Sequence, residues 1–295
     1  MKKIMSDRTL VLLFILPTIL LLVFIVVYPL IWSLFLSFTD YSVVGTEKPH
    51  FVGIRNFAEL ISDKYIWLHF RNTAKYTVMA VAIQFFLGLG IALLLNREFM
   101  GRGILLTLML APMMLSPIVV GLFWRYILDA NWGVLNYFLS WFKIGKIAWL
   151  GDEKTAMISL VIVDTWMWTP FMILISLAGL SAIPKELYEA AEVDRASAWF
   201  RFRHITLPLI SPLLLIGLLF RTMDAFKMFD LAWGLTQGGP GTATSTISIA
   251  LYRMAFQNFE TGKSCAFAYI ILIIIIGMSN IYINLLNRIQ ARGGG

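Results

Sequence analysis

"ELYEAAEVDRASAWFRFRHITLPLISP", residues 186–212, lies between two long apolar stretches and is itself crowded with charge. Its flanks decide how it must be read. The chain of 295 residues is 59% hydrophobic and only 14% charged, with a mean hydropathy of +0.79. A soluble domain carries roughly a quarter charged residues. The apolar residues come in blocks of about 20, long enough to cross a hydrocarbon core of about 30 Å. The blocks are continuous rather than alternating, so they read as helices and not as barrel strands. The segment 186–212 is then a polar insert between two membrane spans of an all-α integral membrane protein.

Six transmembrane helices can be drawn, over residues 10–38, 74–95, 104–128, 155–180, 209–232 and 264–286. They form a single transmembrane domain, 1–295, with the insert between spans four and five. Lys2, Lys3 and Arg8 precede a first apolar run too long for a signal-peptide core, and no A-x-A site follows, so an uncleaved span is expected. With the insert inside, segments 1–9, 96–103, 181–208 and 288–295 hold 11 Lys or Arg in 53 residues, against 10 in the 94 residues of 39–75, 129–154 and 233–263. The density is about double on the first side, which places the insert and both termini in the cytoplasm.

The formal net charge of +7 therefore marks membrane topology, not a nucleic-acid partner. A lone Cys265 excludes an internal disulfide, and His50, His69 and His204 have no metal-ligand spacing. On the outer side, residues 131–150 carry Trp132, Trp141 and Trp149 like an interfacial stretch, and "TQGGPGTAT" (236–244) is turn chemistry. Gly262-Lys263-Ser264 imitates the end of a phosphate-binding loop, but the required earlier glycine is Gln257 and no strand precedes it. No H-E-x-x-H, G-x-S-x-G or other converging set is present, so the chain is expected not to be an enzyme and not to hydrolyse ATP itself.

Within the insert, Pro184 suits a helix start. Glu186, Glu189 and Glu192 follow in the early turns, where carboxylates favour the positive helix end. Leu187, Ala190, Ala191 and Asp194 form another face, and the two alanines allow close approach by a neighbour. A break is expected near Asp194–Ser197. A second short helix then carries Trp199, Phe202 and Ile205 on one side and Arg201 on another, closed by Pro208 and Pro212. Such an aromatic stripe must bury against the chain's own spans, lipid or a partner.

These residues resemble the EAA loop of permease subunits of ATP-binding-cassette importers, whose pattern reads E-A-A-x-x-D-G-A followed by I-x-L-P. Glu189, Ala190, Ala191, Asp194, Ala196, Ile205, Leu207 and Pro208 fall on it in register. "YPLIWSLFLSFTDY" (28–41), "FVGIRNFAEL" (51–60), "WMWTPFMILISLAGLSAIP" (166–184) and "LTQGGP" (235–240) are similar to the sugar-type branch, in its first-permease form related to the maltose importer. The resemblance implies a partner permease in a heterodimer, a cytoplasmic ATPase dimer that binds ATP and Mg, and a soluble extracytoplasmic solute-binding protein. It implies a bacterial or archaeal inner membrane, and no cofactor in this chain. It also implies that loop 184–208 docks on the ATPase through Glu189, Ala190, Ala191, Asp194 and Arg195, with Trp199 and Phe202 holding it to the spans. Arg195 departs from the family glycine. Either the turn keeps φ negative there, or Arg195 accepts the left-handed backbone and its strain.

Charges at membrane depth are costly and face a partner or a watery cavity. Asp164 lies in span four; Arg221, Asp224, Lys227 and Asp230 lie in span five. Arg221 and Asp224 share a face extended by Ala225 and Met228, and Lys227 with Asp230 reads as a second pair. The charges can lock helices together or line a solute pathway. The family resemblance implies the pathway, with the solute touching Asp164, Trp166, Met167, Trp168 and Phe171 in span four and Arg221, Asp224, Ala225 and Met228 in span five. Aromatic faces suit a sugar ring and charged groups its hydroxyls, while Arg221 also suits an anionic solute. The alternative is an ion-coupled secondary transporter, which calls for an inverted repeat that the sequence does not show.

Overall fold

The computed structural model describes residues 7–45 and 48–293, so the predicted N-terminal Lys2 and Lys3 lie outside it. Among the described residues every named element is a helix, and the one extended pairing is an isolated bridge between Thr39 and Phe51. Five helices are long and apolar enough to cross a membrane, or six if one sharply bent pair counts as a span. The chain divides into two compact units. One joins the N-terminal part, through Lys64, to Leu251–Leu272; the other comprises Tyr65–Ala250 and the chain from Ile273.

In the first unit, α1 (Asp7–Leu22) passes through a wide π turn, Val23–Val27, into α2 (Tyr28–Ser37). Pro29 causes the turn. A proline has no N–H to donate and its ring clashes with the carbonyl four residues back. The ladder loosens just before it, and the Tyr28 N–H reaches the Val23 carbonyl instead. After α3 (Arg55–Ser62), Asn56 staples the connection by donating to the carbonyls of Ser37 and Thr39.

The second unit holds α4 (Lys64–Leu95), which begins ten residues before the predicted span two. The predicted span three is broken: α5 (Arg102–Leu110) runs through a 3-10 turn to Met114, and α6 (Pro117–Ile127) leaves at 99°. Leu115 and Ser116 are extended between them, as a residue preceding a proline must be at Ser116. Next come α7 (Val134–Trp141) and the long α8 (Glu153–Ser181). Asn136 on α7 closes the loop between them. It donates to the Ile147 carbonyl at 2.9 Å and accepts from the Trp149 indole at 3.0 Å, while Trp132 and Trp141 stay exposed.

After the insert, with α9 (Lys185–Val193) and α10 (Ala198–Arg201), comes α11 (Leu207–Phe226). The predicted span five overran. Its helix stops at Phe226, and Asp230 opens a separate short helix, α12 (Asp230–Leu235). This one packs on α6 at backbone contact. A Cβ on Gly121 would lie 2.8 Å from the Leu231 carbonyl, and one on Gly234 would lie 2.7 Å from that of Ile118. In lipid, close backbone approach of this kind replaces the hydrophobic driving force between helices. Beyond α12, α13 (Ile247–Tyr252) is anchored where the Ile247 N–H donates to Thr73 Oγ1 on α4.

The last helix, α14 (Thr261–Gly293), starts at the Gly-Lys-Ser triplet, and its packing explains those residues without a nucleotide. The Gly262 N–H donates to the Tyr41 carbonyl at 2.8 Å, and a Cβ on Gly262 would lie 2.1 Å from the Thr39 oxygen. Lys263 pairs with Glu59 at 3.2 Å.

Candidate functional site

Two places combine unusual chemistry with a defined geometry: the loop between α8 and α11, and a charged cluster inside the second unit. In the loop, Pro184 is the N-cap of α9, one residue outside the helix. The second predicted helix does not stand alone. A π turn at Phe202–Thr206 joins α10 directly to α11, for the reason seen at Pro29: Pro208 follows, and the Leu207 N–H reaches back to the Phe202 carbonyl. The stretch Ala198–Phe226 is therefore one continuous helical span.

The turn between α9 and α10 answers the question raised by Arg195, whose φ is +56°. The Ala196 N–H donates to the Ala191 carbonyl at 2.8 Å and the Arg195 N–H to that of Glu192 at 3.0 Å. This is the Schellman closure, with arginine in the left-handed position that glycine fills most easily. Ser197 then caps α10 by accepting from the Phe200 N–H. Left-handed backbone costs a non-glycine residue about 1–2 kcal/mol. Glycine removes that strain but loses about 0.5–1 kcal/mol through its freer unfolded chain. Arg195→Gly is therefore expected to keep at least half of transport and wild-type membrane levels. Loss of uptake at normal levels would instead assign Arg195 a direct contact with a partner.

Exposed Ala190, buried Ala191, Leu187 and Asp194 face Phe200 and Ile205 across an open groove of about 530 Å³. Glu186 and Glu189 are exposed, and Glu192 pairs with Arg201. Of the aromatic stripe, Phe202 packs on the core around Leu89, Ile173 and Leu180, while Trp199 stays exposed and stacks on Phe202 at 5.6 Å. Tyr188, which the sequence analysis passed over, ties the loop to the span through a 2.8 Å hydrogen bond with Thr206.

The charged cluster joins α4, α8 and α11. Asp164 and Arg221 form an ion pair with side chains only 1% and 3% exposed. Gln84 on α4 bridges them: its Nε2 donates to Asp164 Oδ2 at 2.7 Å, and its Oε1 accepts from Arg221 Nε at 2.6 Å. Tyr76 is buried against the pair, and the Arg221 guanidinium lies 5.3 Å over the Trp168 ring. Asp164 Oδ1 and the Tyr76 hydroxyl are both buried beside the pair. Gln84 was missed by the sequence analysis. The signal was present, a single amide in the apolar run "VAIQFFLGLG".

Of the predicted solute contacts, Trp168, Phe171, Arg221 and Asp224 converge, together with Phe220, on a cleft of about 200 Å³. Asp164 lies behind Arg221. Met167 and Ala225 are fully buried in the core, and Met228 packs against the same core. Trp166 leaves the group. It meets Trp124 edge-on at 5.5 Å and lines a larger concavity of about 610 Å³ with Ile83, Leu108 and Pro170, a surface without charged groups. The predicted Lys227–Asp230 pair does not form; Lys227 binds Asp224 at 3.1 Å, because the break after Phe226 turns Asp230 onto a new helix.

The family model for "binding-protein-dependent transport system inner membrane component" matches residues 84–293. The trehalose/maltose transport system permease protein MalF of Thermococcus litoralis is 35% identical over 274 residues, covering 92% of this chain and 91% of that one. The trehalose transport system permease protein SugA of Mycobacterium tuberculosis is 33% identical over 290 residues, covering 98% and 92%. Among solved structures, a chain of a bacterial ABC transporter involved in the import of the acidic polysaccharide alginate superimposes with a TM-score of 0.83 at 22% identity, covering 95% of each chain.

Proposed function

The chain belongs to the family of binding-protein-dependent transport system inner membrane components, and from that premise we propose that it is one of two permease subunits around a sugar pathway. The observation that carries this reading is the cleft at Trp168, Phe171, Phe220, Arg221 and Asp224. Aromatic faces and hydrogen-bonding groups meet there, between the two helices that the polar cluster ties together. Its volume is smaller than the roughly 300–1,000 Å³ of a complete small-molecule site. A second permease facing it supplies the other wall. Relatives named for trehalose and maltose support a saccharide as the solute.

Loop 184–208 is the contact with a cytoplasmic ATPase dimer, which binds ATP and Mg. Its groove at Ala190 takes the ATPase surface, and the unbroken helix from Ala198 to Phe226 carries ATPase closure to Arg221 and Asp224. Both termini are then cytoplasmic, and an extracytoplasmic binding protein delivers solute to the opposite face. The pathway is tested by sugar uptake into proteoliposomes holding the complete importer. Trp168→Ala and Asp224→Ala are each expected to lower uptake at least fivefold with the complex intact. Normal uptake and normal preference in both variants would move the pathway elsewhere.

A further inference from the structure

We propose that Gln84 and Asp164 are positioning residues. They hold Arg221, with its charge neutralised, at the wall of the cleft, and so tune the pathway to a neutral hydroxylated solute rather than an anionic one. The inference rests on the reading of that cleft as the solute pathway.

The geometry fixes Arg221 from three sides. Gln84 Oε1 accepts from its Nε–H, Asp164 Oδ2 accepts from a terminal N–H, and the guanidinium carbon lies 5.3 Å from the centre of the Trp168 ring. Gln84 is fixed in turn, since its Nε2 donates both to Asp164 Oδ2 and to the Asp164 backbone carbonyl, the latter at 3.2 Å. An arginine has five donors in a rigid fork. Two are engaged behind the cleft, which leaves the others on a side chain that cannot swing. Such a group offers donors to hydroxyl oxygens at little entropic cost, which is the advantage of a preorganised site.

The charge is handled separately. A lone buried guanidinium attracts a carboxylate, sulfonate or phosphate strongly, because the surrounding dielectric is low. Here the Asp164 carboxylate already neutralises it at contact distance, inside the protein and away from the cleft. The remaining acid at the cleft, Asp224, is half-exposed and repels an anion, an effect blunted by Lys227 at 3.1 Å. A neutral solute meets directed donors without a net positive field; an anionic solute finds its natural partner already taken.

The test is equilibrium binding to the purified permease–ATPase complex in nanodiscs, without the binding protein, so that this chain's preference is read directly. The probes are maltose, which is neutral, and maltobionate, its carboxylated oxidation product. Gln84→Met preserves the ion pair and the volume but frees Arg221 Nε; maltose affinity is expected to fall five- to twentyfold. Asp164→Asn unmasks the arginine, and the ratio of maltobionate to maltose affinity is expected to rise at least tenfold. Gln84→Glu adds a carboxylate and is expected to shift that ratio the opposite way. Shifts of opposite sign are not produced by mere loosening of the helices. If Gln84→Met binds maltose as the wild type does, or the ratio is unmoved in whichever charge variants assemble, the proposal is overturned. Trp168→Ala separates it from the reading beneath it. Loss of both probes in Trp168→Ala with no charge effect sinks the positioning role alone; unchanged binding of both probes in Trp168→Ala sinks the cleft itself.

Discussion

Asp164→Ala is expected to leave little assembled protein in the membrane. Removing the carboxylate strands Arg221, whose side chain is 3% exposed, and takes one of its two acceptors from Gln84 Nε2. Breaking a buried pair by deleting one partner costs about 3–5 kcal/mol, since the remaining charge stays buried without compensation. That is a large share of the 5–15 kcal/mol by which native domains are stable. Thermal unfolding of the purified chain and its level in membranes both read the loss. Exchanging both partners, in Asp164→Leu with Arg221→Met, is expected to restore most of the stability and none of the solute binding, because neither charge is then stranded. A single variant as stable as the wild type would mean that the pair does not hold α4, α8 and α11 together.

Ala190→Trp is expected to do the reverse, leaving the chain intact and stopping transport. Ala190 is exposed on the open groove of the α9–α10 loop, so a larger side chain there has room without disrupting the loop's own packing. In the proposed docking, however, the ATPase approaches the Ala190 methyl closely. Forcing a bulky group into a packed contact costs about 1–3 kcal/mol, which lowers affinity by about 5- to 150-fold. Uptake should fall at least tenfold with normal membrane levels, and the ATPase should dissociate on purification. Ala191 is the poorer choice for this experiment, since it is 8% exposed and already packed within the loop. Wild-type uptake by Ala190→Trp would remove the groove from the ATPase contact.

Long apolar runs made the helical fold and most of the spans legible in the sequence. Where the reading slipped, prolines and local polar chemistry had overridden hydropathy. The span broken at Leu115 and Ser116 carries no charge near the break, and only Pro112 and Pro117 announce its 99° bend. The stop at Phe226 is equally silent, because Asp224, Lys227 and Asp230 suit a continuous helix as well as an interrupted one. For the site, residue type was informative and direction was not. Asp164 and Trp168 lie on one face of α8, and Trp166, only two residues from either, lies on another. The partner of Asp164 was legible as a charge but not as Arg221, which is 57 residues away, and Gln84 is 80 residues away in the opposite direction. At Arg195 the sequence left two possibilities, and the φ of +56° selects the left-handed one.

The central claim is that this chain is an ATP-driven permease engaged through loop 184–208, and sugar uptake into proteoliposomes tests it most directly. One preparation holds the chain alone under an ion gradient; the other holds the complete importer with ATP and the binding protein. The expected result is uptake only in the second, lost when ATP is withheld and lost again in Ala190→Trp. Gradient-driven uptake by the chain alone, unaffected by Ala190→Trp, would contradict the claim.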